Sequence, residues 1–122
     1  MRIIDEDFLD TIRLQPCCWC GRKGPSEAAH VFSRGPRSCY RLDIPENSLP
    51  LCRQHHAENH SGQITLNDML ALAASRCNCL QKDIVDLIYA LRREPQKAVD
   101  ASDESELYER WKARVKAENQ RS

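Results

Sequence analysis

The chain has no surplus of either charge: 18 Lys and Arg are matched by 18 Asp and Glu over 122 residues. A strongly cationic body made for nucleic acid is therefore excluded, and any affinity for phosphate has to come from local patches. A membrane span is lacking too, since no stretch approaches the roughly 18 apolar residues that a helix needs to cross a bilayer. The first residues, MRIIDEDFLD, are acidic where a secretory signal carries a basic start and an apolar run, which sets the expectation of a cytoplasmic protein. In that compartment thiols stay reduced, so the seven cysteines, an odd number, are expected to hold metal rather than to pair as disulfides. Internal repeats and low-complexity segments are absent. A chain of this length forms one unit with a modest core, which a metal ion would help to hold together.

Three cysteines fall within four positions of PCCWCGRKGPSEAAHVFSRG, residues 16–35. Taken alone, Cys17-x-x-Cys20 with a glycine behind it fits half of a zinc site, a redox pair or one end of a disulfide framework, because each needs two sulfurs brought together by one tight turn. The stretch ENSLPLCRQHHAENHSG, residues 46–62, supplies a second half. Its Cys52-x-x-His55 repeats the spacing, so the two pairs offer three thiolates and one imidazole, the complement of a closed tetrahedral zinc site. The redox reading leaves the histidines without a role and finds no βαβ pattern around the cysteines. Of the other histidines, His56 and His60 are four apart in a segment expected to be helical. They project from one face and could grip a second metal together, with plain surface decoration as the alternative.

Between residues 16 and 62 the apolar runs, such as AAHVF and SLPLC, are short and read as strands and loops. From Ile64 the texture changes. TLNDMLALAASRC has helical spacing from Leu66 to Arg76, and Thr65 with Asp68 resembles a capping box. CLQKDIVDLIYALRRE sets Leu80, Ile84, Leu87, Ile88 and Leu91 along one stripe, which reads as core, before Pro95 ends it. SDESELYERWKARVKAENQRS reads as a final helix, acidic at its start and basic towards its end. Residues 1–63 thus form a zinc-binding core with an N-terminal extension, and residues 64–122 a helical region packed on it. Cys18, Cys39, Cys77 and Cys79 have no partner pair, and Cys77 and Cys79 read as packing residues.

The order Cys-x-x-Cys, AAH, ENSLPLC, Cys-x-x-His, His-x-x-x-His resembles the zinc-containing HNH endonucleases over about residues 17–62. Within that superfamily, AAHVFSRG, YRLDIPENSLPLC and HSG are similar to the phage recombination endonucleases of the NinG (Rap) type. The resemblance implies an α+β fold: a small ββα-metal core, a hairpin followed by a helix with a divalent ion between them, stapled by a structural zinc on Cys17, Cys20, Cys52 and His55, then a helical C-terminal part. It implies metal-dependent hydrolysis of DNA phosphodiester bonds, on branched recombination intermediates, in a bacterial or phage-infected cell. His30 would be the general base, a task that suits an imidazole with an ordinary pKa near 6.5. Asn47 would hold the hairpin or orient His30. His56, with His60, would hold a divalent ion such as Mg2+ or Mn2+ against the scissile phosphate.

One departure stands out: many HNH enzymes place an Asp or His ligand immediately before the base, and this chain has Ala29 there. Glu27, of the same strand parity, is the candidate replacement. Without it, a non-catalytic zinc-stabilised module of the same fold, binding nucleic acid or protein, is the alternative. Arg34, Arg37, Arg41 and Arg53 surround the expected site as sequence-independent phosphate contacts, against ordinary solubility. The C-terminal helices would add DNA binding or dimer formation, making a homodimer a further expectation.

Overall fold

The computed structural model describes residues 2–35 and 39–93. Arg37 and the final helix expected beyond residue 100 lie outside the described residues. Among the described residues the fold is mixed α+β, with four helices and a two-stranded antiparallel sheet.

Helix α1 (Glu6–Arg13) begins at Asp5, whose carboxylate accepts the Phe8 amide hydrogen. Glu6 and Asp7 occupy its first turn and Arg13 its last, as the helix dipole favours. Leu9 and Ile12, three apart, form its buried stripe. The acidic opening residues are therefore the start of an amphipathic helix, an element that the sequence reading did not include.

Strand β1 (Glu27–His30) pairs with β2 (Ser48–Leu51), Glu27 lying opposite Leu51 and His30 opposite Ser48. Alternation along β1 sends Ala29 into the core, fully buried, while Ala28 and His30 line a cleft on the other side. Pro50 is tolerated in β2 because both strands of a two-stranded sheet are edges, and its carbonyl accepts the Cys18 amide at 2.9 Å. A short 3-10 turn, Pro45–Asn47, feeds β2.

Helix α2 (Arg53–His60) starts directly behind Cys52. Helix α3 (Leu66–Cys77) follows with the expected capping box: the Thr65 hydroxyl accepts the Asp68 amide hydrogen and the Asp68 carboxylate accepts that of Thr65. It ends at Asn78 in the left-handed conformation, φ 53°, common for a residue that closes a helix. In α4 (Gln81–Arg93), Ile84, Leu87, Ile88 and Leu91 are buried as the stripe required, whereas Leu80 precedes the helix and is exposed. A single apolar cluster joins Ala29, Leu49 and Leu51 of the sheet to Met69, Leu70 and Ala73 of α3 and to that stripe. Helix α1 packs on both strands, and α3 on β2 and the 3-10 turn. No helix among the described residues is long and apolar enough to cross a membrane.

Thr65→Ala removes one half of the capping box and leaves the core untouched. We expect it to cost about 1 kcal/mol and to lower Tm by about 4 °C, measured by circular dichroism, with metal content unchanged.

Candidate metal centre and histidine cleft

The first cysteine pair is shaped by backbone bonds: the Gly21 amide donates to the Cys17 carbonyl at 2.8 Å and the Cys17 amide to that of Arg22 at 3.0 Å. Gly21 takes φ +77°, which a side chain would resist, and so brings Cys20 back over Cys17. Cys52 arrives from the end of β2, and His55 lies one turn into α2. The ligand atoms of Cys17, Cys20, Cys52 and His55 all lie within 4.8 Å of one another. His55 Nδ1 is 3.2 Å from Cys52 Sγ and 3.8 Å from Cys17 Sγ. A tetrahedral zinc with bonds near 2.3 Å to sulfur and 2.0–2.1 Å to nitrogen sets its ligands about 3.5–3.8 Å apart. The cluster fits such an ion, and these four residues could hold a metal ion such as zinc.

The charge balance of the four agrees with that fit. Burial opposes ionisation of Cys17, yet hydrogen bonds from the backbone of Cys52, Cys20 and Trp19 and from His55 bring its thiol down to about 6. At Cys20 a backbone bond from Arg22 favours the thiolate, but burial and the neighbouring sulfurs of Cys17 and Cys52 together push its pKa up. Crowded sulfurs cannot all be anionic without a cation among them. On the far side of His55, Glu58 brings a carboxylate oxygen to 3.5 Å from Nε2, the partner that a ligating histidine commonly has. Glu58 escaped the sequence reading, although its place three residues after His55 puts it on the same helix face. Cys18 and Cys79 pack against the core, and burial pushes both thiols up to about 11, so they are unreactive.

The second site is a cleft of about 640 Å³. Its walls are Glu6, Leu9 and Arg13 of α1, Ala28 and His30 of β1, the segment around Arg34 and Gly35, Arg41, and His56, Asn59 and His60 of α2. His30, at the end of β1, directs Nε2 to Asp43 Oδ1 at 2.8 Å. Asp43 is buried between Leu42 and Ile44, and it also accepts from Arg41 and from the Asp5 amide. Burial lowers the His30 pKa below its ordinary 6.5; Asp43 opposes this, and Arg34 and Arg41 add to it. Burial alone would raise the Asp43 pKa, but Arg41, the Asp5 amide and His30 hold it below the ordinary carboxylate value.

Asn47 is fully buried just before β2. Its Oδ1 accepts the Phe32 amide at 2.7 Å and its Nδ2 donates to the Leu42 carbonyl at 2.9 Å. The side chain therefore ties together the two ends of the excursion between the strands.

His55 and His56 diverge, as neighbours on a helix must. His56 turns to the cleft, where its Nε2 lies 3.1 Å from His60 Nε2, with ring centres 4.7 Å apart. Glu27 bonds the opposite nitrogen, His56 Nδ1, at 2.7 Å. An ion between the two Nε2 atoms would have Glu27 behind His56 rather than beside it, so the expectation of Glu27 as a ligand on that ion is corrected. Among the described residues, the cysteine site is the group of three or more ligand atoms that converge on one point. Ala29 faces the core, so a ligand there would be buried away from the cleft.

Of the arginines expected at phosphate, Arg34 lines the cleft. Arg53 is exposed on the first turn of α2. Arg41 borders the cleft but is engaged by Asp43 and Glu6, which makes it part of the support for His30. Arg13, not singled out from the sequence, is a further cation in the cleft wall. No family model, curated protein or solved structure matches the chain.

Proposed function

We propose that the chain is a metal-dependent DNA endonuclease with an HNH-type ββα-metal core, stapled by a structural zinc on Cys17, Cys20, Cys52 and His55. The observation that supports it most is the convergence on one cleft of His30, from the end of the first strand, with His56 and His60, from the helix behind the second, beside Arg34. A hairpin followed by a helix, with a histidine from each facing the same space, is the arrangement that the resemblance implied.

In this reading His30 takes a proton from the attacking water. With its pKa below 6.5, the imidazole is neutral at physiological pH and can accept one. His56 and His60 would hold the divalent ion: their Nε2 atoms stand 3.1 Å apart, and neighbouring ligands of an ion with bonds near 2.1 Å are about 3.0 Å apart. A bound ion supplies stabilisation of the charge that builds on the phosphate and leaving oxygen. Two imidazoles suit Zn2+ or Ni2+ better than Mg2+, which prefers carboxylates and water. Glu27, on Nδ1 of His56, fixes that ring's orientation. Asn47 keeps the two strand ends in register, and Arg34 meets the DNA backbone. Branched recombination intermediates are the substrate class we assign.

A zinc-stabilised module that binds nucleic acid or protein without cleaving is the second reading. It is favoured by the position of Glu27, which leaves two histidines as the protein ligands of the cleft ion.

Incubation of supercoiled plasmid and of branched DNA with Mn2+, Ni2+, Zn2+ or Mg2+ separates the two. We expect nicking that requires the added ion. Because the base acts deprotonated, kcat/KM should rise as pH increases through the His30 pKa, which burial holds below the ordinary imidazole value, and level off above it. Asp43, Arg34 and Arg41 are the charged groups that set that pKa, with Glu6, Arg13, His56 and His60 on the same cleft. DNA bound but never cut, with every ion, would decide for the second reading.

A further inference from the structure

Behind His30 stands a chain of charged groups that reaches to the first helix. Asp43 Oδ1 meets His30 Nε2 at 2.8 Å and Arg41 Nε at 3.0 Å. Asp43 Oδ2 accepts from Arg41 Nε at 3.0 Å, from an Arg41 terminal nitrogen at 2.8 Å and from the Asp5 amide at 2.8 Å. Arg41 in turn reaches Glu6 in the first turn of α1. A bridge between Ile3 and Leu42 locks the segments that carry these groups side by side. Asp43 is only 3% exposed, so its carboxylate is held in place on every side.

These contacts dictate where the His30 proton sits. Asp43, surrounded by donors, is ionised and can only accept. The hydrogen in its contact with His30 must then belong to Nε2. Nδ1, without a hydrogen-bond partner among the described residues, is left with a free lone pair on a ring that lines the cleft.

The geometry points to Asp43 as the positioning residue of His30, fixing the imidazole as the Nε2-protonated tautomer so that Nδ1 is the basic nitrogen presented to water. This rests on the nuclease reading for its catalytic consequence, but not for the tautomer. It also gives α1 a role in the site, since Asp5 and Glu6 hold Asp43 and Arg41. The variant Asp43→Asn should reverse the tautomer. Its amide oxygen has to replace Oδ2, where the Asp5 amide and Arg41 both donate, so its NH2 group turns to His30 and donates to Nε2. The proton then moves to Nδ1 in the favoured tautomer, so the basic form is disfavoured although the shape is kept.

The test uses the full chain with zinc bound and 15N-labelled, the His30 signals being assigned by their loss in His30→Gln. Two-bond 1H–15N spectra at about pH 7.5 should show Nε2 protonated in the parent and Nδ1 protonated in Asp43→Asn. Nicking by Asp43→Asn should fall about 10- to 100-fold, part of the 10²–10⁴-fold that a positioned base supplies, with DNA binding unchanged. Asp43→Glu, still an acceptor only, should keep the parent tautomer and recover part of the rate. A parent protonated on Nδ1 overturns the proposal whether or not the chain cuts DNA, and does so even if Asp43→Asn fails to fold. A reversed tautomer with an unchanged rate overturns the role of Asp43 in cleavage. A parent that shows the Nε2 tautomer but never nicks DNA supports the positioning and removes the nuclease reading instead.

Discussion

His55→Ala is expected to yield a chain that holds no zinc and does not fold, whereas His56→Ala keeps both its zinc and its melting transition. The two residues are neighbours, but at about 100° per residue they leave the helix in different directions. His55 brings Nδ1 to 3.2 Å from Cys52 Sγ, while His56 meets Glu27 and His60. Losing His55 opens the closed cysteine site and leaves three sulfurs crowded together. Structural zinc in small modules is worth about 10–16 kcal/mol of folding free energy. A domain of this size has a total stability of about 5–15 kcal/mol, so nothing else in the core can replace it. His56 is largely clear of the core, and its removal frees one exposed carboxylate, Glu27, at little cost. Metal analysis of the purified chains with far-UV circular dichroism decides the matter. Zinc lost in His56→Ala and kept in a folded His55→Ala would move the site by one residue and leave His60 without a partner for the cleft ion.

Features carried by local spacing were legible in the sequence. The two Cys-containing turns could be paired because each is a compact signal complete within four residues, and their ligand atoms do converge. The capping box and the α4 stripe were readable for the same reason: one helix turn contains the whole motif. The His56–His60 pair is likewise a property of helix geometry alone. Helix α1 was missed because its signal is short, a capping aspartate and three apolar residues of which only Leu9 and Ile12 are buried, set in an acidic run that also suits a loop.

Asp43 was missed for a different reason. Apart from Arg41, two residues before it, its partners lie 13 and 38 residues away, so only the folded chain brings His30 and the Asp5 amide to it. A trace was present in LDI, where a carboxylate alternates with two apolar residues and so turns to the opposite side of an extended segment. Glu27 illustrates the limit of parity arguments. Alternation gave it the parity of Ala29, which is buried in the core, but at the start of the strand Glu27 is exposed and its flexible side chain reaches α2, to the opposite side of the imidazole from the one needed for ligation. Arg41 looked like any exposed cation in sequence; its two carboxylate partners come from different parts of the chain.

His30→Gln should lower the rate of ion-dependent nicking by about 10²–10⁴-fold, the usual contribution of a positioned general base, while leaving the fold and DNA binding as they are. Glutamine is the informative replacement. Its amide NH2 can still donate to Asp43, so the buried carboxylate keeps its partners and no unpaired charge is created. It has no group that accepts a proton near neutral pH, so the chemistry alone is removed. The zinc cluster lies apart from this contact and should stay filled. Binding should persist because Arg34 and the other cleft cations are untouched, and its decline with added salt should match that of the parent. Rates measured with the ion saturating, alongside thermal melts, separate lost chemistry from lost structure. Parent-like nicking by His30→Gln would transfer the base role to another group in the cleft, and the Asp43–His30 pair would then be a structural contact only.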